Sequence, residues 1–213
     1  SFGAGKVLVT GNPVRGAIRP LAPAPRDPFT VFVFGGSQGA MGINTLVIEV
    51  LEFLGDAGRS HGLQLRWIHQ TGERDYERVR AAHERHRTGG RVEKFLHDMP
   101  ECYAQASLLV CRAGSSTLSE IAAVGRASVL IPLVSADRHQ EFNAGLFAEN
   151  GAAEMRLQRS TTGEELARLI LQLAKDTARI DAMEKSVARF ARPDAVDRIL
   201  ADLVPAADEG AKA

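Results

Sequence analysis

Cys111-Arg112-Ala113-Gly114-Ser115-Ser116-Thr117-Leu118-Ser119-Glu120 decides how this chain is read. The apolar run that leads into it, Ser107-Leu108-Leu109-Val110-Cys111, has the length and composition of a buried strand. Gly114 breaks the run, hydroxyl side chains follow, and a helix opens with Thr117 and Glu120 three residues apart. In an open α/β sheet, ligands collect at such carboxyl ends of strands. Backbone N–H groups and hydroxyls there suit sugar and phosphate oxygens, and Glu120 can accept from two neighbouring hydroxyls. The same Thr117-x-x-Glu120 spacing also fits a capping box, in which two side chains satisfy the free N–H groups of a first helical turn. On this stretch alone both readings stand.

The pattern around it is strand and helix in alternation. Phe29 to Phe34 is a β-branched and aromatic run, hence a buried strand. Gly35-Gly36-Ser37-Gln38-Gly39-Ala40 turns it into an amphipathic helix with Ile43, Leu46, Val47, Val50, Leu51 and Leu54 at helical spacing. A strand over Leu63 to His69 follows. Next come a charged helix from Glu73 to Arg87, a short strand from Arg91 to Phe95, and a helix through Gln105. After the central unit the pattern predicts a strand over Ala127 to Ile131, a helix over His139 to Asn150 and a short strand over Ala153 to Leu157. Helices then run to the C-terminus. Such alternation specifies an α/β fold: a Rossmann-like parallel sheet with helices on both faces. Lys6 to Thr10 reads as one more short strand, and Pro20, Pro23, Pro25 and Pro28 mark a stiff linker. We therefore divide the chain into the end of a preceding domain with its linker (1–28), a ligand-binding domain (29–192) and a C-terminal helix and tail (193–213).

Composition narrows the function classes. The 213 residues carry 26 Lys+Arg and 26 Asp+Glu, a formal net charge of zero. That argues against a general binder of nucleic acid or membrane surface. Cys102 and Cys111 make neither a disulfide framework nor a zinc site, so a reducing, cytoplasmic setting is the default. The apolar stretch from Ala127 to Val134 is far too short to span a bilayer. His83-x-x-His86 has a spacing that could suggest a metal, but it lies among Arg80, Glu84, Arg85 and Arg87 and reads as a solvated helix face. His69 and His97 show no partner. We expect no metal and no cofactor.

Four polar loops follow four strands and open on one edge of the sheet. Gly35–Gly39 has the glycines and helix start that suit a diphosphate, yet it is neither a Walker loop nor a Gly-x-Gly-x-x-Gly turn. Phe95–Asp98 and Arg112–Glu120 are the next two. In the fourth, Gln140 and Asn143 share a helix face, and amides both donate to and accept from sugar hydroxyls. The plainer alternative is that Asp137 caps that helix and the amides are solvated. Together the loops fit a nucleotide-sugar.

Several motifs recur in the order of a known family: Gly11-Asn12-Pro13-Val14-Arg15, Gly35-Gly36-Ser37-Gln38-Gly39-Ala40, Phe95 through Asp98-Met99, Cys111-Arg112-Ala113-Gly114 with Thr117 and Ser119-Glu120, and His139-Gln140 with Asn143-Ala144. From about Lys6 to Leu203 the chain resembles the C-terminal half of the MurG family of bacterial N-acetylglucosaminyltransferases. The resemblance implies the C-terminal domain of a GT-B glycosyltransferase that binds UDP-N-acetylglucosamine. It implies metal-independent, inverting transfer to a lipid-linked muramoyl-pentapeptide, at the inner face of the plasma membrane, with the acceptor and the catalytic base held by an N-terminal domain that this sequence lacks. It further implies that Glu120 holds the ribose hydroxyls, that Ser37 meets the diphosphate, and that the backbone of Leu96 reads the uracil edge with Arg15 nearby. Ser115, Ser116 and Thr117 would line the nucleotide-sugar, and Gln140 and Asn143 would contact the sugar. Ser115-Ser116 departs from the small-then-apolar pair common in the family. A UDP-sugar epimerase of the same fold and a non-catalytic nucleotide-sugar binding module are the alternatives.

Overall fold

The computed structural model describes residues 7–55 and 63–203. Among them, strands β1 (Phe29–Phe34), β2 (Leu65–Gln70), β3 (Gly90–Glu93), β4 (Leu108–Cys111), β5 (Ser128–Leu130) and β6 (Glu154–Met155) form one parallel sheet in the order β3-β2-β1-β4-β5-β6. The helices are α1 (Met41–Leu54), α2 (Tyr76–Arg85), α3 (Met99–Gln105), α4 (Ser115–Val124), α5 (His139–Glu149), α6 (Gly163–Lys175), α7 (Thr177–Ala188) and α8 (Ala195–Leu203). The strand order reverses between β1 and β4. The loops that leave these two strands diverge to opposite faces and open a crevice, which is where such sheets bind ligands.

β1 shows why both faces are apolar. Every one of its residues is buried, and successive side chains point to opposite faces. Val31 and Val33, with Trp67, Val110 and Val129, pack on Val47 and Val50 of α1 and on Leu166 and Ile170 of α6. Phe32 and Phe34, with Ile68, Leu109 and Leu130, pack on Tyr103 of α3, Ile121 of α4 and Ala144 of α5. Tyr103 meets the edges of both phenylalanine rings, at 5.7 and 5.9 Å between centroids. Each large apolar side chain buried in this way contributes about 1.5–3 kcal/mol. The proline-rich segment packs on the same body: Ile18 and Ala24 are buried. Arg126, 2% exposed, donates to Tyr103 O (3.0 Å) and Ala22 O (2.8 Å) and so ties that segment to α3.

The structure corrects four sequence expectations. Val7 to Thr10 is largely exposed and pairs with no strand among the described residues, and Lys6 lies outside them. The charged helix is split: a 3-10 turn over Glu73–Asp75 precedes α2, which ends at Arg85. The capping box at Thr117-x-x-Glu120 does not form. Helix α4 already begins at Ser115, so Thr117 is its third residue and Glu120 its sixth, and Gly114 at the N-cap offers no side chain. The capping box that does exist is at α6, where Thr162 Oγ1 accepts from Glu165 N (3.2 Å) and Glu165 Oε2 from Thr162 N (2.9 Å).

The fourth correction concerns the histidines. His83 is not on a solvated face: α2 turns it inward, 5% exposed, beside the fully buried His69. His69 Nδ1 lies 3.2 Å from His83 Nε2, and the rings meet edge to face. Flanking charges drew the reading outward, but Val79 and Ala82 on the same face decide the packing. Burial lowers both pKa values, that of His83 from 6.5 to about 4, with the neighbouring His86 adding to the shift.

Two outcomes follow from these contacts. Thr162→Ala should cost about 1 kcal/mol in urea denaturation, the usual value of an N-cap, whereas Thr117→Ala should change stability far less, since Thr117 caps nothing. For the histidines, the unfolded chain binds more protons than the folded one between pH 6.5 and about 4. Stability is therefore full above pH 6.5 and falls as the pH drops through that window. Replacing His69 and His83 together with Gln should make this slope shallower in melts recorded across the window.

Candidate functional site

The crevice lies between the β1–α1 loop and the β4–α4 loop. In the first, Gly39 N–H closes a tight turn onto Gly36 O at 3.0 Å, leaving Ser37 exposed at the tip. The turn is pressed against the loop after β2 with no side chain between. A Cβ on Gly39 would lie 2.0 Å from Thr71 O, and one on Gly72 would lie 2.2 Å from Gln38 O. Both glycines have positive φ, +73° and +78°. Glycine is therefore needed here for space and for conformation.

Two helix starts face this crevice without side-chain caps. Ala40 precedes α1 and Gly114 precedes α4, neither carries a capping hydrogen bond, and neither first turn contains an acid. Their first N–H groups are left for water or a ligand, with the partial positive charge of a helix N-terminus. Away from the crevice, α6 and α7 are capped by Thr162 and Asp176.

Arg112 adds a full charge. It is 9% exposed, and burial lowers its pKa from the ordinary guanidinium value. Nη1 donates to Ile131 O (3.0 Å) and Pro132 O (3.1 Å), and Nη2 to Gln158 Oε1 (2.7 Å). These acceptors are neutral. Arg112 lines an open cleft of about 600 Å³ together with Gly36, Gly39, Thr117, Leu133 and Gln140. A largely buried cation held only by neutral dipoles favours an anion in the space beside it.

Glu120 stands on the other side of α4. Its Oε2 accepts from the buried Tyr103 hydroxyl at 2.9 Å, and its Oε1 accepts from Arg15 Nη2 at 3.3 Å. Its side chain is 20% exposed and that of Arg15 is 62% exposed, so the ion pair stabilises little. The carboxylate thus has one firm partner and a loose one that a ligand can displace. The carboxylate in turn pushes the Tyr103 pKa up, after burial, which is the larger cause.

The amides do something sequence did not foresee. Gln140 Oε1 accepts from Ala113 N (3.2 Å) and Leu133 N (3.0 Å), while Asn143 Nδ2 donates to Ala113 O (3.1 Å). Both clamp the β4–α4 loop, with Gln140 Nε2 and Asn143 Oδ1 as their remaining polar atoms. Asp137 lies ahead of the N-cap of α5, Arg138, and its Oδ1 accepts from His139 N at 3.4 Å. The Leu96 N–H is taken by Gln70 Oε1 at 2.8 Å, with the Leu96 side chain buried and Phe95 45% exposed beside it. Gln70 also donates to Gly36 O at 2.9 Å. One buried amide therefore braces the glycine loop and the Phe95–Leu96 loop together.

The structure thus groups Thr117 and Gln140 with the glycine loop and Arg112. Arg15, Ser115 and Asn143 line a neighbouring groove of about 720 Å³. Ser116 is exposed on the first turn of α4 and lines neither. Sequence reading overlooked Arg112, Gln70 and Tyr103. Arg112 stood in the decisive stretch, and a cation one residue past a buried strand was a usable signal. Tyr103 had none, because only the packing of α3 on α4 brings it to Glu120.

Among the described residues no group of three or more His, Cys, Asp and Glu is placed to hold a metal ion, and no helix is long and apolar enough to cross a membrane. Three comparisons with known proteins bear on the crevice. Among solved structures, MurG of Acinetobacter baumannii superposes with a TM-score of 0.76 at 30% identity, over 96% of this chain and 57% of that one. The UDP-GlcNAc 2-epimerase of Neisseria meningitidis, bound to UDP-GlcNAc, superposes at 0.60 with 9% identity over 84% of this chain and 45% of that one, a likeness of fold alone. Curated relatives named UDP-N-acetylglucosamine–N-acetylmuramyl-(pentapeptide) pyrophosphoryl-undecaprenol N-acetylglucosamine transferase include one from Myxococcus xanthus, 39% identical over 91% of this chain and 51% of its own length. Another, from Coxiella burnetii, is 40% identical over 92% and 55%. The chain spans about half the length of the curated relatives it matches. Residues 30–199 match the glycosyltransferase family 28 C-terminal domain, and the chain belongs to that family.

Proposed function

We propose that this chain is the donor-binding half of an N-acetylglucosaminyltransferase that takes N-acetylglucosamine from UDP-N-acetylglucosamine and delivers it to a lipid-linked muramoyl-pentapeptide. The observation that carries the reading is the contrast among helix starts. Those of α1 and α4 at the crevice, beside the buried Arg112, have neither a side-chain cap nor a first-turn acid, whereas α2, α3 and α5 are uncapped but carry a first-turn acid and α6 and α7 carry side-chain caps. That arrangement suits a diphosphate. The names of the relatives at 39–40% identity supply the sugar and the acceptor and favour transfer over epimerisation.

In the proposed reaction an acceptor hydroxyl attacks the anomeric carbon from the face opposite UDP, and the sugar–phosphate bond breaks. Negative charge then grows on the departing diphosphate. The helix N-termini and Arg112 are already oriented toward it, so little reorganisation is needed as the charge develops. This is the part a metal ion would otherwise take. Glu120, oriented by Tyr103, accepts from the ribose hydroxyls. Ser37 meets the diphosphate, and Leu96 and Arg15 flank the base. Ser115, Ser116 and Thr117 line the nucleotide-sugar, while Gln140 Nε2 and Asn143 Oδ1 face the sugar. The acceptor and the base that activates its hydroxyl are assigned to the other half of the enzyme, which works peripherally at the inner face of the plasma membrane.

Titration calorimetry tests the donor reading. UDP should bind equally well with chelator and with magnesium, and affinity that appears only with magnesium would contradict it. Glu120→Gln should lower UDP affinity about tenfold, because charge-assisted hydrogen bonds contribute about 1.5–3 kcal/mol. The unliganded melting temperature should barely move, since Gln still accepts from Tyr103. A control ligand, 2′,3′-dideoxy-UDP, should bind wild type weakly and be nearly indifferent to the substitution. If UDP binds Glu120→Gln as tightly as wild type, Glu120 does not hold the ribose.

A further inference from the structure

The buried histidines form part of a hydrogen-bond chain whose direction is fixed. Asn44 Nδ2 donates to Thr71 O (2.9 Å) and to Asp75 Oδ2 (2.8 Å). Both partners are pure acceptors, so the orientation of the amide is determined and Asn44 Oδ1 must accept. It lies 3.0 Å from His69 Nε2, which therefore carries the hydrogen. His69 Nδ1 is then an acceptor, and the only ring nitrogen opposite it, His83 Nε2 at 3.2 Å, is the donor. His83 Nδ1 accepts in its turn from Thr88 Oγ1 at 2.8 Å. Each neutral imidazole has one donor and one acceptor nitrogen, so every link sets the tautomer of the next. The chain runs from Thr88 through His83, His69 and Asn44 to the Thr71 carbonyl.

That carbonyl is the one on which Gly39 rests. Asn44, His69 and Thr71 are each at most 1% exposed, so none of them reaches a ligand. Their contact with the crevice is indirect, through the backbone-to-backbone seat of Gly39 on Thr71. Asp75 is held separately by Arg78, at 2.7 and 2.8 Å. It anchors the amide from the side and is not a link in the chain.

We propose that this chain, with Asn44 as its last member, positions the glycine loop for the diphosphate of the donor; Asn44, His69, His83 and Thr88 are positioning residues. The proposal rests on the donor reading above. It makes a specific claim: the loop that the chain seats meets phosphates and not the nucleoside. Breaking the chain should therefore separate the affinities for UDP and for uridine, which a general loss of structure would not do.

The experiment measures both ligands, UDP by calorimetry and uridine by NMR titration, on wild type, Asn44→Leu, Thr88→Val and Thr88→Ser. Asn44→Leu should weaken UDP about tenfold and leave uridine within about twofold, one lost buried hydrogen-bond system being of that order. Thr88→Val, far from the crevice, should weaken UDP about threefold, and Thr88→Ser, which keeps the hydroxyl, should match wild type. Should Asn44→Leu fail to fold, the two Thr88 variants decide alone. Folded variants that bind UDP like wild type, or that lose UDP and uridine in equal measure, would overturn the positioning role and leave the donor reading intact. Wild type that binds neither ligand would overturn both.

Discussion

The crevice depends on positive charge that is built into the backbone and left without a protein partner. An α-helix always begins with N–H groups that lack intrahelical acceptors. Other helices here place a side chain near them: Thr162 caps α6, Asp176 caps α7, and α2, α3 and α5 set a first-turn acid there. α1 and α4 do not. Ala40 and Gly114 at the caps leave those groups open toward the same crevice, because the strand order reverses between β1 and β4. The cost of an uncapped start, about 1 kcal/mol each, is carried by the packing of Val47, Val50 and Ile121 in the two cores.

Arg112 follows the same logic with a full charge. Transfer of a cation from water is unfavourable unless polar groups surround it, and three neutral acceptors do so here. The result is a charge that is solvated by the protein yet not neutralised by it. The bonds to Ile131 O and Pro132 O also join β4 to the loop after β5. The side chain that sets the electrostatics of the cleft thereby fixes part of its wall. Gln140 and Asn143 work alongside, holding Ala113 from α5. Loops from β1, β4 and β5 are thus held in one geometry by side chain-to-backbone bonds, which place a binding surface more firmly than solvated loops would.

The fold was legible because both faces of the sheet are covered. Phe29 to Phe34 is buried at every position and apolar at all but Thr30, and such a run between Pro28 and Gly35 admits few other readings. What failed did so for identifiable reasons. Val7 to Val9 have strand composition but no neighbour to pair with among the described residues, and composition alone makes no ladder. Thr117 and Glu120 have the spacing of a capping box, but the helix starts three residues earlier than that box requires, with Gly114 at its N-cap, and spacing does not reveal phase. His83 is surrounded in sequence by charges, yet helical geometry puts it with Val79 and Ala82. The site was legible as loops rather than as side-chain roles: Gln140 and Asn143 were found for their chemistry, and their chief bonds turned out to be to the protein itself. Tyr103 and Gln70 act across elements distant in sequence, and nothing local announces them.

The division between loops and side chains has a physical consequence for function. Uncapped helix starts at a switch point suit a diphosphate whatever is attached to it, and a UDP-GlcNAc 2-epimerase shares this architecture at 9% identity. On the proposed reading, discrimination among reactions comes from side chains whose geometry is specific: a carboxylate oriented by Tyr103, and two amides that each keep one polar atom beyond their bonds to the protein. These groups are held by bonds of their own, so their positions do not depend on the ligand arriving. On the proposed reading the backbone supplies general affinity for the diphosphate, and the oriented side chains supply selectivity. The two can vary independently because they rest on different bonds: the first on strand order and glycine, the second on the contacts of α3, α4 and α5.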